Sequence, residues 1–169
     1  MLKIGDHELD IDRVGPKLHQ GGAVEPACDY EPFSMIVLCA QELQPELPRF
    51  RGRVVRAAFG DTIWPSVPEL ARAALAADLV HRELVAGGRV LVTCAAGLNR
   101  SGLVVGLVLT RTMPPEHAIA LIRRARGEAA LCNPTFHRIV WNAPMRPAPA
   151  PTRPPQARRG RYGRGEASR

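Results

Sequence analysis

Apolar positions along the chain change period several times, and each change marks an expected element. Residues 34–40 are a largely apolar seven-residue run, the pattern of a strand buried on both faces. Residues 53–59 and 89–93 are the next strand candidates. Ser66 to Gly87 has helical spacing instead, with Leu70, Ala73, Ala74, Ala77, Val80, His81 and Leu84 on one face. Ser66 and Glu69 form a capping-box pattern at its start, and Gly87-Gly88 stops it. The stretch from Ser101 to about Thr112 is apolar all round and predicts a helix buried against a sheet. Pro114-Pro115 opens another helix, with Ala118, Leu121, Ile122 and Ala125 inward and Arg123, Arg124 and Arg126 on a solvated face. A short helix over 134–142, with Phe136, Ile139, Val140 and Trp141 apolar, closes the body.

Before the first long strand, residues 1–12 alternate charge with Leu2, Ile4, Leu9 and Ile11, as a hairpin or an edge strand does. His19, beside Gly21-Gly22, reads as a loop or strand surface residue, and His81 as a core-edge residue. Gln41 to Pro48 holds two prolines and excludes a long helix. Strands separated by helices predict an α/β sandwich around a central, mainly parallel sheet. One domain covers residues 1–143, and residues 144–169 form a Pro/Arg/Gly-rich basic tail expected to be disordered.

The chemistry concentrates in residues 90–102. An apolar run, Val90 to Val92, rises to Cys94, and the loop from Cys94 to Arg100 feeds the apolar helix. The free amides and dipole of a helix N-terminus attract an anion and favour a thiolate. Arg100 offers a planar fork suited to phosphate. A nucleophile, an anion cradle and a phosphate clamp within seven residues point to phosphoryl transfer through a cysteinyl-phosphate.

Cys94-x5-Arg100-Ser101, with Gly97 inside it, resembles the phosphate-binding loop of the cysteine-dependent protein tyrosine phosphatases, in particular their small dual-specificity branch. The resemblance covers roughly residues 13–142. It implies a four- or five-stranded sheet with helices on both faces, a glycine step near residue 21 leading into a first helix, and no cofactor or metal. It makes Cys94 the nucleophile, Arg100 the phosphate clamp and Ser101 the group that helps the thiolate depart. The amides of Ala95, Ala96, Gly97, Leu98, Asn99 and Arg100 would hold phosphate oxygens. Where the family has histidine before the cysteine, this chain has Thr93, which predicts weaker activity.

Loss of phosphate from an ester oxygen needs a proton donor. Asp61 stands 33 residues before Cys94, close to the family's spacing for its general acid, on a loop that a strand end allows to move. The alternative is that Asp61 caps a turn. Trp64 lines the cleft mouth or anchors that loop.

Composition changes this picture in three ways. The formal charge of +7 is concentrated in the tail, where seven arginines face only Glu166, so residues 1–143 carry about +1. The tail can meet nucleic acid, an anionic membrane or an acidic partner, with solvated linker as the default. Cys28, Cys39, Cys94 and Cys132 lack metal-site spacing and read as free thiols of a reducing compartment. With no signal core and no bilayer-length apolar run, the expectation is a soluble, cytoplasmic monomer. The leading function is hydrolysis of phosphotyrosine, and of phosphoserine or phosphothreonine, on proteins. An RNA 5′-triphosphatase-like enzyme and a phosphate-binding pseudophosphatase are the alternatives.

Overall fold

The computed structural model describes residues 2–4 and 7–145, with side chains from Leu9 onward. The expected disordered tail lies, from residue 146, outside the described residues. The elements run β1 (Leu2–Ile4), β2 (His7–Leu9), β3 (Ile11–Arg13), β4 (Leu18–Gly21), β5 (Met35–Ala40) and β6 (Arg53–Phe59). They continue with α1 (Val67–Val85), β7 (Val90–Thr93), α2 (Arg100–Leu109), α3 (Pro115–Arg126) and α4 (Pro134–Trp141). The β1–β2 ribbon stands apart from a five-stranded sheet of order β3-β4-β7-β5-β6. Only β3–β4 is antiparallel in that sheet. No helix of the described residues is long and apolar enough to cross a membrane.

The last strand along the chain, β7, sits in the middle. Its register places Thr93 beside both Gly21 and Leu38, so Cys94 emerges at the sheet's carboxyl edge with strands on either side. Alternation along the strands splits the core in two. Met35, Val37, Cys39, Val90 and Val92 face the helices, while Ile36, Leu38 and Leu91 face away.

The helices do not flank the sheet on both sides. Among the described residues all four pack on one face. The other face is covered by irregular chain carrying Cys28, Tyr30, Phe33, Leu47 and Phe50. The step after Gly21 accordingly leads into turns instead of a helix. The reason is local: Pro26, Pro32, Pro45 and Pro48 interrupt those connections, yet their large apolar residues still seal the sheet.

Helix α2 fulfils the all-apolar pattern, since it lies between the sheet and the other three helices. Each fully buried Leu or Val there contributes about 1.5–3 kcal/mol relative to an exposed one. Gly106 lets α4 approach, because a Cβ there would lie 2.6 Å from Val140 Cγ2. Three expected positions differ. In α1 Ala76 is buried and Ala74 exposed. Trp141 is exposed and stacks on His137 instead of closing the core. His19 is buried on β4 in an edge-on contact with Phe33, and burial pushes its pKa down.

Candidate active site

Cys94 is 4% exposed, and its Sγ lies 3.3 Å from Ser101 Oγ in the first turn of α2. Thr93 is buried and donates its hydroxyl to Val37 O at 3.2 Å, tying β7 to β5 where a histidine was expected by resemblance. Beyond Cys94 the chain curls into the helix with its carbonyls turned outward, each onto a donor of the surrounding scaffold. Ala95 O accepts from Ala23 N at 3.1 Å, and Leu98 O from Leu131 N at 3.3 Å. Gly97 O accepts from Gln20 Nε2 at 2.9 Å and Arg126 Nε at 3.0 Å, and Ala96 O from Arg126 Nη2 at 3.2 Å.

This inversion requires Gly97, whose φ is +67°. A trans peptide holds its C=O and N–H on opposite sides, so outward carbonyls aim the amides inward. Among the described residues, none of the amides of 95–100 meets a protein acceptor. The loop is a ring of unused donors at a helix N-terminus, which is an anion cradle.

Arg100 completes that cradle from the first position of α2. Its Nη1 and Nη2 each bond one oxygen of Glu42 at 2.6 Å, a bidentate pair across the far edge of the guanidinium. Nε is buried and, among the described residues, without a partner. The fork is thus held by one edge and free on the other. Burial opposes the Arg100 charge, but Glu42, Cys94 and Asp61 outweigh it and raise its pKa. The hydrogen bond from Arg100 in turn lowers the pKa of Glu42. Sequence reasoning missed Glu42, because nothing in a Pro-rich connection signals that its carboxylate reaches 58 residues ahead.

Asp61 also arrives at this site. Its Oδ1 accepts from Asn133 Nδ2 at 2.9 Å and its Oδ2 from Asn99 Nδ2 at 3.2 Å. Asn133 also donates to Thr62 O at 3.1 Å, Thr135 Oγ1 to Ile63 O at 2.7 Å, and Asn133 Oδ1 caps α4. Glu69 fastens both ends of the loop: Oε1 accepts from Gly60 N at 3.0 Å, and Oε2 from Ser66 N at 2.8 Å and Ser66 Oγ at 2.6 Å. The loop expected to move is pinned to α1, to α4 and to the Cys94 loop. Trp64 does not anchor it, being 82% exposed.

The bonds from Ser66 and Gly60 hold Glu69 down to a pKa of about 2, from an ordinary 4.5. The stability from this staple is therefore complete above about pH 4.5 and is lost as pH falls toward 2. Urea midpoints of the wild type and Glu69→Gln should differ at pH 6 and converge on acidification; a gap independent of pH would contradict the staple.

A cavity of about 450 Å³ opens beside Cys94, lined by Val24, Pro26, Leu43, Pro45, Thr93 and Cys94 among others. Among the described residues, Glu42, already engaged by Arg100, is the only charged one of its lining. The structure thus gathers Cys94, Arg100, Ser101, Asp61 and the 95–99 loop at one sheet edge.

No known family profile matches the sequence, and no curated protein matches it. Solved structures do match. Human DUSP28 aligns at 23% identity with a TM-score of 0.67, covering 79% of this chain and 92% of that one. A mouse putative dual specificity phosphatase, solved with zinc tungstate, aligns at 21% and 0.66, covering 79% and 86%. The human tyrosine phosphatase-like serine/threonine/tyrosine-interacting protein aligns at 20% and 0.60, covering 79% and 94%. The chain therefore has the fold of the cysteine-dependent protein tyrosine phosphatases, in the compact form of their dual-specificity branch.

Proposed function

We propose that this protein hydrolyses phosphomonoesters on proteins, phosphotyrosine foremost, through a cysteinyl-phosphate. One observation carries the reading: among the described residues, the amides of the Cys94 loop and the buried Nε of Arg100 have no protein partners around the thiol. Six amides and one guanidinium edge match the oxygens of a phosphate, whose developing charge such preorganised donors stabilise.

In this reading the Cys94 thiolate attacks phosphorus in line, and the bond to the ester oxygen breaks as Asp61 gives that oxygen its proton. Asp61, now a carboxylate, takes a proton from the water that attacks the cysteinyl-phosphate. Ser101 Oγ, 3.3 Å from Sγ, donates to the departing thiolate. The apolar walls beside Cys94 suit an aryl or alkyl leaving group. A 5′-triphosphate end brings further negative charge, and among the described residues the lining offers no cation for it. These features favour the protein phosphatase over the RNA enzyme. The complete set of Cys94, Arg100, Ser101 and Asp61 favours turnover over a pure binding module.

The deciding experiment is a single turnover of ³²P-phosphotyrosyl peptide, quenched in acid. Acid-stable label on Cys94, followed by release of phosphate, is the expected result. Release only from 5′-triphosphorylated RNA would replace the protein substrate with RNA, and no label from either would leave a phosphate-binding module. Asp61→Asn is expected to slow alkyl phosphate hydrolysis by about a hundredfold. It should also flatten the alkaline limb of the kcat profile, while an unchanged limb would remove Asp61 as the acid.

A further inference from the structure

Arg126 ends α3, where helical periodicity puts it on a solvated face with Arg123 and Arg124. Its side chain is instead 5% exposed and spends every donor it has. Nη1 bonds Asp10 Oδ1 and Asp12 Oδ2, both at 2.7 Å, and Nη2 bonds Asp10 Oδ2 at 2.8 Å. The remaining donors, Nε and the second Nη2 hydrogen, go to Gly97 O and Ala96 O.

We propose that Arg126, locked by Asp10 and Asp12, is the positioning residue that sets the anion cradle. Two successive carbonyls held outward fix two successive peptide planes, so the Gly97 and Leu98 amides face the phosphate site. Without that hold, these planes are the ones most free to flip, because Gly97 has no Cβ to resist rotation. A lysine cannot substitute, since one ammonium does not span two carbonyls and two carboxylates in a plane. The hydrogen bonds that Arg126 donates to Asp10 and Asp12 raise its pKa against the burial that opposes its charge. Gln20 supplies a second donor to Gly97 O but none to Ala96 O, so the Gly97 amide depends on Arg126 alone.

The catalytic consequence rests on the phosphatase reading, whereas anion binding does not. The test is tungstate titration of the full-length protein by calorimetry, beside steady-state kinetics and ¹⁵N spectra of the Gly97 and Leu98 amides. Arg126→Lys keeps the charge and is expected to weaken tungstate about tenfold. It should broaden those two resonances and lower kcat more than it raises KM. Asp10→Asn, which leaves Arg126 in place with a poorer lock, should move the same readouts in the same direction by about threefold; it carries the test if Arg126→Lys does not fold. Wild-type tungstate affinity and sharp Gly97 and Leu98 signals in the folded variants would overturn the proposal, leaving Arg126 a structural tie seen only in Tm. A wild type that binds tungstate but turns over no ester would defeat the phosphatase reading and leave this one standing. A wild type that binds no tungstate would defeat both.

Discussion

Cys94→Ser is expected to lower phosphotyrosyl peptide turnover by about 10⁴-fold or more, the scale seen when a covalent nucleophile is removed. The serine hydroxyl has nearly the same shape as the thiol but is not ionised near neutral pH and does not form the intermediate. The cradle stays intact, because its outward carbonyls are held by Ala23, Gln20, Arg126 and Leu131, none of which touches Sγ. The variant should therefore still bind tungstate. That pairing separates chemistry from binding: lost turnover with retained tungstate supports the cysteine mechanism. Turnover near wild type would mean that another group carries the reaction.

Arg100→Lys is the second large effect, about 10³-fold in kcat. Arg100 is gripped end-on by Glu42 and, in the proposed mechanism, meets the phosphate with its Nε edge, a division of labour that needs a flat, multi-donor group. A lysine pairs with Glu42 or with phosphate, not with both in one plane. If it chooses phosphate, the Glu42 carboxylate is left beside the substrate and repels it. The kinetics should show lower kcat with raised KM, and removing that charge with Glu42→Gln in the Arg100→Lys background should recover part of KM. Full activity in Arg100→Lys would show that the loop amides suffice and that the guanidinium is a structural tie to Glu42.

How much of this was readable beforehand depends on the range of each interaction. Cys94, Arg100 and Ser101 fall within eight residues on one strand–loop–helix turn; spacing and helix-end electrostatics suggested the roles proposed for Cys94 and Arg100, and the family resemblance alone suggested that of Ser101. Asp61 was found by distance along the chain, but its grip by Asn99 and Asn133 was not, since an asparagine beside a proline looks like a turn. The Ser66–Glu69 cap was legible as a local motif; that the same carboxylate also reaches Gly60 and staples the loop was not.

Arg126 shows the limit most clearly. Helical periodicity assigns it to solvent because its own neighbours in α3 are charged. Its partners, Asp10 and Asp12, lie more than a hundred residues away, brought beside it by the β3–β4 edge of the sheet. His19 errs the same way: a histidine next to glycines looks exposed until Phe33 folds over it. The one-sided placement of the helices was likewise hidden, because prolines announce that a connection is irregular without saying which face its Tyr30, Phe33 and Leu47 will cover.

Local order, then, was written in the chain: the strand and helix periods, the cap, the Cys94 loop and its anion-binding end all follow from interactions within a few turns of backbone. The supports of the site, Glu42, Gln20, Asn133 and Arg126, came only with the packed molecule. Each acts through a bond between residues 29 to 116 positions apart, and such pairings arise from sheet order and helix docking, which leave no periodic trace in the sequence of either partner.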